Sequence, residues 1–437
     1  MPDATASDGL EGALPPPSHA PNASMTILEA LAVEAIAGVA SEGSGAAGCS
    51  QMTIPFDRFM HWALYHPREG YYAASGAGPA GPFGAKGDFI TASGLGPWFA
   101  GALAQAFMGI ARQASDPQSL VVRELGAGNG DLAADLMLEL DRQHSLPDRY
   151  EILEPNPAMQ LLQRARIAAL PLGLASRFVW LDRLDASIPP IRGLILANEV
   201  ADALPVKVFE WSDCDTRVWE WGLGLTMEGP SPGAAGQARA SPGLRWVRWP
   251  ATGPLREVVL RRKAAQQGAG LGWAAGHRGE WCPWLQGWAR GLADSLAYGA
   301  LLVIDYGYEQ YELDHPDRSA GTLAAHRRHR RVDDWAEIIA APGQQDITAH
   351  VNFTELASVF QGQGLDLTLQ TQAAWLLDHG VLAQAQARYF KLPEARGQAP
   401  ANPQALRALS GLQTLLSDAA MGQSFLVLSA RRGISPD

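Results

Sequence analysis

The chain has 437 residues, enough for about two or three domains, and 47% of them are apolar, as expected for a folded globular protein. Its formal net charge of −11 argues against a nucleic-acid-binding surface, because such surfaces neutralise phosphates with lysine and arginine. No apolar run is long enough to cross a bilayer, so we expect no membrane span. The three cysteines are scattered, and no basic residue of a secretory or transit signal precedes Arg58, so we expect a cytoplasmic protein.

The N-terminal part of the chain divides into two pieces. Residues 1–24 are rich in alanine, proline and serine, which predicts a disordered tail. Residues 25–120 have helical patterns on either side of a glycine- and proline-rich loop at 75–86. We therefore predict a helical N-terminal lobe that precedes the first strand of the main domain.

The most informative pattern begins at residue 121. An apolar run with the carboxylate Glu124 near its end is followed by a helical pattern of leucines. Between them lie three glycines at alternate positions: Gly126, Gly128 and Gly130. Glycines permit positive φ and a close approach of the backbone to a ligand. A dinucleotide fingerprint would place its third glycine where this chain has Asp131, so the turn favours a ligand without a phosphate, such as S-adenosylmethionine.

A second carboxylate supports a nucleotide-like ligand. The next apolar segment, residues 150–154, ends in Glu154, 28 residues after Gly126. In doubly wound sheets an acidic residue about 20 residues after the glycine turn accepts hydrogen bonds from ribose hydroxyls. The alternative is that Glu154 stabilises the start of a helix at Asn156 and Pro157. The distance from the glycines favours ribose binding.

The rest of the chain predicts a parallel sheet with one interruption. Residues 121–211 alternate strands and helices, with strands near 121–125, 150–154, 177–181 and 193–198. Residues 212–290 contain tryptophans in short alternating segments around a linker at 229–243, which predicts an inserted β-rich subdomain outside the central sheet. Strands then resume near 300–305 and 424–428, within a segment, 291–437, that completes the main domain.

Polar residues follow two of the predicted strands at their C-terminal ends, where open α/β sheets bind ligands. Asn198, Glu199 and Asp202 follow one strand, with Asp202 expected one helical turn after Glu199, and Asp305 ends another. The alternatives are turn and cap roles for Asn198 and Asp202, and a cap or ion pair for Asp305.

Several blocks of residues together resemble the MidA family of class I S-adenosylmethionine-dependent methyltransferases, the bacterial relatives of a mitochondrial complex I assembly protein-arginine methyltransferase. The resemblance spans residues 56–428. Besides the glycine turn, the blocks are Leu64-Tyr65-His66-Pro67, Glu69-Gly70-Tyr71-Tyr72, Gly87-Asp88-Phe89 with Thr91, Asn198-Glu199, Asp202-Ala203-Leu204-Pro205, Ile304-Asp305-Tyr306-Gly307, Gly321-Thr322-Leu323 and Asp346-Ile347-Thr348-Ala349-His350-Val351.

The resemblance implies an α/β fold with a Rossmann-like seven-stranded sheet, a helical N-terminal lobe and a β-rich insertion. It implies S-adenosylmethionine as cofactor, with these cofactor-binding residues: Glu124, Gly126, Gly128, Gly130, Glu154, Asn198, Asp88 and Thr91. It also implies an arginine acceptor on a protein partner, for which a respiratory complex I subunit is the candidate. Since carboxylates bind the guanidinium fork bidentately, Glu199 and Asp202 are the expected catalytic residues.

Two departures from the family pattern concern the acceptor. Gly94 stands where the family usually has a glutamate, and Asn352 stands where it usually has an aspartate. Because both changes remove a carboxylate, two alternatives stay open: a small-molecule O- or N-methyltransferase, and a SAM-binding assembly factor with little turnover. The basic cluster at 326–331 is either a binding surface or a solvated loop, and His350 is either a base or a buried structural residue.

Overall fold

The computed structural model describes residues 25–41, 52–75, 95–212, 217–227, 242–327, 330–389, 403–417 and 421–435. Several sequence predictions therefore lie outside the described residues. They concern the tail at 1–24, residues 76–86 of the predicted loop, residues 229–241 of the linker, and the positions Asp88, Thr91 and Gly94.

The helices of the described part are numbered in chain order. They are α1 Ile27–Ser41, α2 Phe56–Tyr65, α3 Tyr71–Ser75, α4 Trp98–Gln113, α5 Asp131–Arg142, α6 Pro157–Ile167, α7 Leu172–Ala175, α8 Gly253–Gly268, α9 Leu285–Asp294, α10 Gln310–Leu313, α11 Trp335–Ala340, α12 Phe353–Gly362, α13 Gln372–Asp378, α14 Val381–Tyr389, α15 Pro403–Leu416 and α16 Met421–Ser424. In the described ranges, no helix has both the length and the apolar character needed to cross a membrane.

The strands are numbered in the same way. They are β1 Thr53–Pro55, β2 Val121–Leu125, β3 Arg149–Leu153, β4 Phe178–Leu181, β5 Ile191–Asn198, β6 Lys207–Ser212, β7 Arg217–Met227, β8 Pro242–Pro250, β9 Arg278–Trp281, β10 Leu296–Tyr308, β11 Ala324–Arg327, β12 Arg330–Val332, β13 Asp346–Thr348, β14 Val351–Asn352, β15 Asp366–Thr371 and β16 Phe425–Arg432.

The central sheet has the order β15-β16-β10-β5-β2-β3-β4, and the short strand β14 pairs with the C-terminal end of β10. The strands from β10 to β4 are parallel, whereas β16 runs antiparallel to both of its neighbours. The predicted α/β class with a parallel sheet is therefore confirmed. Strand β15 was not predicted from the sequence, and its side chains are half-buried or exposed.

The side chains in the middle of this sheet are buried, which stabilises its central strands. All five residues of β2 are buried, including Arg123, whose Nε donates to Glu151 on the neighbouring strand over 2.7 Å. A buried charge of this kind is tolerated because it is paired. On α5, the predicted leucines at every fourth position, Leu132, Leu136 and Leu140, are buried against the sheet.

A second, antiparallel sheet has the order β1-β7-β6-β9, with β8 paired to β7. Its strand pairing puts residues 217–227 outside the central sheet, in agreement with the sequence prediction. This sheet begins earlier than the predicted insertion, however, because it includes β6 from Lys207 onward and takes β1 from the N-terminal region. The insertion also contains α8, a helix of 16 residues that was not predicted. The division of the chain into domains stays a prediction.

Helices α1 to α3 pack on this second sheet and on a small third sheet of order β12-β11-β13, whereas α4 packs in the core of the central sheet. A buried carboxylate connects the insertion to the chain that follows it. Glu280 on β9 accepts hydrogen bonds from the backbone N–H groups of Thr322 and Leu323 at 3.0–3.1 Å and from the Thr322 hydroxyl at 2.8 Å. This contact gives the Gly321-Thr322-Leu323 block a structural role.

Strands β2, β5 and β10 approach one another closely at Gly193, which gives a prediction for stability. Gly193 on β5 has a φ of 141°, and a Cβ built there would lie 2.0 Å from the Val121 carbonyl oxygen. We expect Gly193→Ala to lower the free energy of unfolding by about 3 kcal/mol or more, since strain and displacement of the strand add. Gly287→Ala is the matched control, because Gly287 is an exposed helical glycine with nothing within 4 Å of the new Cβ. Chemical denaturation measures both, and equal midpoints would contradict the proposed crowding.

Candidate active site

A cavity of about 570 Å³ opens at the C-terminal ends of the parallel strands, next to the N-terminal helices. This volume is in the usual range of small-molecule sites, about 300–1,000 Å³. Residues from five strand ends line it, together with parts of α2, α3 and α9. Of the predicted site residues within the described ranges, those that line it are Glu124, Gly126, Gly128, Glu154, Asn198, Glu199 and Asp202.

The glycine turn forms one wall of the cavity. Gly126, Gly128 and Gly130 have φ angles of 61°, 53° and 85°, which non-glycine residues rarely adopt. Gly126 and Gly128 line the cavity, whereas Gly130 does not. Gly130 instead donates its N–H to the Ala127 carbonyl and immediately precedes α5, so it shapes the turn. The predicted ligand contact for Gly130 therefore finds no support in this geometry.

Glu124 lies at the base of this wall and is almost fully buried. The hydroxyl of Tyr150 donates to its carboxylate over 2.7 Å. Burial raises the pKa of Glu124 to about 7, and the bond from Tyr150 lowers it only in part. This carboxylate therefore changes its charge near neutral pH.

Glu154 is held from two sides. One carboxylate oxygen accepts the Asn156 N–H at 3.0 Å, and the other accepts Nε2 of Gln163 at 3.0 Å. The first bond agrees with the helix-start alternative, and the position of Glu154 in the cavity wall leaves ribose binding as a prediction. Burial raises the pKa of Glu154.

Gln163 was not predicted from the sequence. It is fully buried, and its Nε2 also donates to the Gly128 carbonyl over 3.0 Å, which connects the glycine turn to Glu154. The indole of Trp180 donates to its Oε1. A signal exists in the sequence, because Gln163 lies on the buried stripe of α6, four residues from both Met159 and Ile167.

The end of β5 supplies the next group of residues. Glu199 has a positive φ of 53°, and its N–H donates to the Ile304 carbonyl over 2.9 Å. Asn198 Nδ2 donates to the Glu199 carboxylate over 3.2 Å. Asn198 Oδ1 is buried without a hydrogen-bond partner in the described protein. A strained backbone and an unsatisfied buried acceptor at one strand end are features of a ligand site.

Asp202 is located differently from the prediction. It was expected one helical turn after Glu199, but residues 199–206 form turns and no helix. Asp202 still lines the cavity, where the Tyr306 hydroxyl donates to its carboxylate. Burial raises the pKa of Asp202 to about 6.

Asp305 stabilises the turn at residues 199–206 through hydrogen bonds to its backbone. Its carboxylate is fully buried and accepts the backbone N–H groups of Ala201 and Asp202 at 3.0 and 3.2 Å. Burial and the nearby charges of Asp202 and Glu199 raise the pKa of Asp305 well above its usual range. Of this pair of carboxyl groups, Asp202 is therefore the one that ionises first as the pH rises. The structure agrees with the capping role considered for Asp305.

Two tyrosines of the N-terminal lobe close the other end of the cavity. Tyr65 donates its hydroxyl to the Ala203 carbonyl over 2.9 Å, and Tyr72 donates to Asp346 over 3.0 Å. The neighbouring His66 and Tyr71 are buried in the lobe and do not line the cavity. The Tyr-His-Pro and Gly-Tyr-Tyr blocks therefore serve both packing and the site.

Other sequence candidates lie away from the cavity. Asn352 caps α12 by accepting the Glu355 N–H over 3.1 Å, and it does not line the main cavity. His350 does not line the main cavity, and burial lowers its pKa to about 4, which fits the structural alternative. In the basic cluster, Arg330 and Arg331 are exposed and lie close to acidic side chains of their own surface. Asp182 follows β4 and lines the cavity, and it was not predicted from the sequence.

The charge of the cavity wall is strongly unbalanced. Among the described residues that line it, six are acidic and one is basic: Glu124, Glu154, Asp182, Glu199, Asp202 and Asp346, against Arg183. Fields from like charges add in a cleft with a low dielectric. The cavity therefore favours cationic ligands.

The strand order, the antiparallel β16 and the glycine turn after β2 together define the Rossmann-like methyltransferase class. A model of the family described as "Putative S-adenosyl-L-methionine-dependent methyltransferase" matches residues 102–371, and the chain belongs to this family. The predicted methyltransferase class and its cofactor, S-adenosylmethionine, are confirmed.

Two curated relatives are similar over most of their length. Protein arginine methyltransferase NDUFAF7 of Mus musculus, a mitochondrial protein, is 26% identical over 395 residues, which cover 85% of this chain and 79% of the relative. Its mitochondrial homolog in Drosophila melanogaster is 24% identical over 407 residues, covering 87% and 82%. These matches agree with the family resemblance seen in the sequence blocks.

A solved structure is similar over nearly the whole chain. A protein of Burkholderia thailandensis, crystallised with S-adenosyl-homocysteine, is 30% identical with a TM-score of 0.73, and the match covers 94% of each chain. A native crystal structure from the same organism is also 30% identical, with a TM-score of 0.72 and coverage of 94% and 93%. The fold described above is thus one that binds this cofactor product.

The glycine turn gives a test of the cofactor site. A branched side chain in Gly128→Val would meet a backbone with a φ of 53° in the cavity wall, so we expect calorimetric binding of S-adenosyl-homocysteine to disappear. Gly173→Val is the matched control, because Gly173 is exposed with nothing within 4 Å. Both variants should keep a cooperative thermal transition, and undiminished binding in Gly128→Val would exclude this site. NAD should not bind to the unaltered protein, since Asp131 replaces the third dinucleotide glycine.

Proposed function

We propose that this methyltransferase acts on an arginine side chain of a protein partner, for which a respiratory complex I subunit is the candidate. The single observation that carries the proposal is the ring of six carboxylates around the cavity, which suits a cationic acceptor. The curated relatives named protein arginine methyltransferases support it.

The cofactor half of the cavity is proposed to lie along β2, β3 and β5. Gly126 and Gly128 permit a close approach, Glu154 accepts both ribose hydroxyls, and Glu124 lies behind the glycine turn. Asn198 offers its unpartnered Oδ1 to a donor group of the ligand. These residues fit S-adenosylmethionine because the wall is rich in carboxylates and has no lysine among its described residues, which suits a ligand without phosphates.

The acceptor half is proposed to use Glu199 and Asp202. When bound, S-adenosylmethionine supplies a methyl group on a sulfonium, and the N–C bond forms as the C–S bond breaks with its electron pair going to sulfur. Glu199 orients the guanidinium through charge-assisted hydrogen bonds, so that one nitrogen lies in line with the methyl group. Asp202 accepts the proton that this nitrogen loses, and its raised pKa makes it a better base than an ordinary carboxylate.

One experiment separates this function from its two alternatives. The purified protein is incubated with methyl-labelled S-adenosylmethionine and a cell extract, and the label is resolved by molecular size. Label in a protein band that hydrolyses to methylarginine supports the proposal. Label in a small molecule supports a metabolite methyltransferase, and S-adenosyl-homocysteine binding without any transfer supports an assembly factor with little turnover.

Glu199→Gln tests the proposed clamp. The variant keeps the size of the side chain and one acceptor oxygen but loses the charge. Since a hydrogen bond to a charged group contributes about 1.5–3 kcal/mol, we expect turnover on the labelled protein to fall about tenfold to a hundredfold. S-adenosyl-homocysteine affinity should stay within about twofold, and Glu309→Gln, an exposed control, should change neither quantity. Lost cofactor binding would instead make Glu199 a cofactor ligand.

The proton-acceptor role of Asp202 predicts a pH dependence. Burial raises its pKa to about 6, so the carboxylate is ionised above that pH and becomes protonated below it. We expect kcat/KM for methyl transfer to fall about tenfold per pH unit below about pH 6. Asp202→Asn should be slow and should lack this limb. Because Glu124 titrates near pH 7, a limb that survives in Asp202→Asn but not in Glu124→Gln would refute the assignment.

A further inference from the structure

We propose that Gln160 and Gln163 on α6 are positioning residues for the cofactor, because together they fix the geometry of the segments that follow β2, β3 and β4. The inference rests on the cofactor half of the proposed function, since it concerns how Glu154 is presented to the ribose. Neither glutamine lines the cavity, so both act through the residues that do.

Each of the two glutamines connects two segments of the cavity wall. Gln163 donates its Nε2 to the Gly128 carbonyl and to the Glu154 carboxylate, both over 3.0 Å. Gln160 donates its Nε2 to the Glu154 carbonyl and to the Asp182 carboxylate, both over 2.8 Å. Residues three apart on a helix lie side by side. One face of α6 therefore joins the glycine turn, the end of β3 and the end of β4.

The orientation of the Gln163 amide is fixed by its surroundings. The side chain is fully buried, and its two N–H bonds point at the two acceptors named above. Its Oε1 accepts the indole N–H of Trp180 over 3.0 Å. The guanidinium of Arg164 lies over the Trp180 ring, 4.0 Å from its centroid, and stabilises the position of that donor. An amide turned by half a rotation would place its oxygen against two acceptors and its N–H bonds against a donor, so only one orientation is satisfied.

The neutral amide leaves the charge of Glu154 available to the ligand. A buried lysine or arginine at this place would form an ion pair with the carboxylate, whereas an amide donates a hydrogen bond without compensating the charge. Burial raises the pKa of Glu154, and the bonds from Asn156 and Gln163 lower it in part, so these bonds favour the ionised form. A carboxylate offers about four acceptor positions, and these two bonds use one each. The remaining positions suit the two adjacent hydroxyls of a ribose.

This arrangement orders the wall before the cofactor binds. A glutamate side chain that lacked its partner could adopt several rotamers, and the ligand would have to restrict them at an entropic cost. With the amide of Gln163 in place, the carboxylate already points in one direction. The benefit to the ligand therefore depends on its ribose hydroxyls. Removing the amide from the protein and a hydroxyl from the ligand should then have effects that do not add.

The test compares two ligands by calorimetry: S-adenosyl-homocysteine and its analogue that lacks the ribose 2′-hydroxyl. The unaltered protein should bind S-adenosyl-homocysteine about tenfold more tightly than the deoxy analogue, since a hydrogen bond to a charged group is lost. Gln163→Leu, a variant of similar size without donors, should weaken S-adenosyl-homocysteine binding about tenfold but binding of the deoxy analogue only about twofold. Gln160→Leu, which loses bonds to the backbone of Glu154 and to Asp182, should lower the ratio of the two affinities about threefold.

Gln361→Leu, at an exposed glutamine of α12, is the matched control and should leave both affinities unchanged. If Gln163→Leu weakens both ligands by the same factor, the glutamine serves packing alone and the positioning role is wrong. Equal binding of the two ligands by the unaltered protein also overturns it. If Gln163→Leu lacks a cooperative thermal transition, the half-buried Gln160 decides: an unchanged ratio in Gln160→Leu refutes the proposal. Absence of methylarginine in the extract experiment leaves these ratios untouched and is the separate failure of the proposed function.

Discussion

The carboxylate of Asp305 fixes the backbone from which the proposed catalytic side chains project. It is fully buried and accepts the N–H groups of Ala201 and Asp202, just after Glu199 adopts its positive φ. The same turn is held from outside, because Ala203 accepts the hydroxyl of Tyr65 and Asp202 accepts the Ala349 N–H through its carbonyl. A strained turn persists only where its surroundings over-determine it. The central sheet, the N-terminal helices and the segment before β14 therefore meet at one short stretch of chain.

Much of the fold could be predicted because its signals are local. Buried parallel strands are continuous apolar runs, and β2, β5 and β10 lie close to where such runs predict them. Edge strand β15 was missed because its polar, partly exposed sequence carries no such signal. The second sheet begins earlier in the chain than expected and includes β1. Strand pairing depends on contacts between distant segments, which cannot be inferred from local composition. Likewise, residues 199–206 were assigned helical spacing, although the bonds to Asp305 hold them in turns.

The site could be predicted where function requires an unusual residue at a strand end. The glycines, Glu154 and the Asn198-Glu199 pair are of this kind, and each except Gly130 lines the cavity. Residues that act through tertiary contacts were missed. Gln163 joins the glycine turn to Glu154 from a helix 35 residues further on, and Asp346 meets Tyr72 across 274 residues. The family resemblance includes the block that begins at Asp346, but it assigns no role to this residue. Its neighbour His350 was the more conspicuous candidate, yet it lies outside the main cavity.

The acidic wall has an energetic consequence for the whole enzyme. Burial raises the pKa values of Glu124 and Asp202, and burial together with the nearby charges of Asp202 and Glu199 raises the pKa of Asp305. A cation that enters the cavity favours the ionised form of these carboxyl groups and lowers their pKa values again, so cationic ligands bind most tightly when the carboxylates are ionised. Binding to the folded state alone then stabilises the fold by mass action. In the proposed mechanism, methyl transfer converts the sulfonium to a neutral thioether and sends one proton to the wall. The product state then has one positive charge fewer on the ligands and one ionised carboxylate fewer on the wall, and both changes weaken the electrostatic attraction for the spent cofactor.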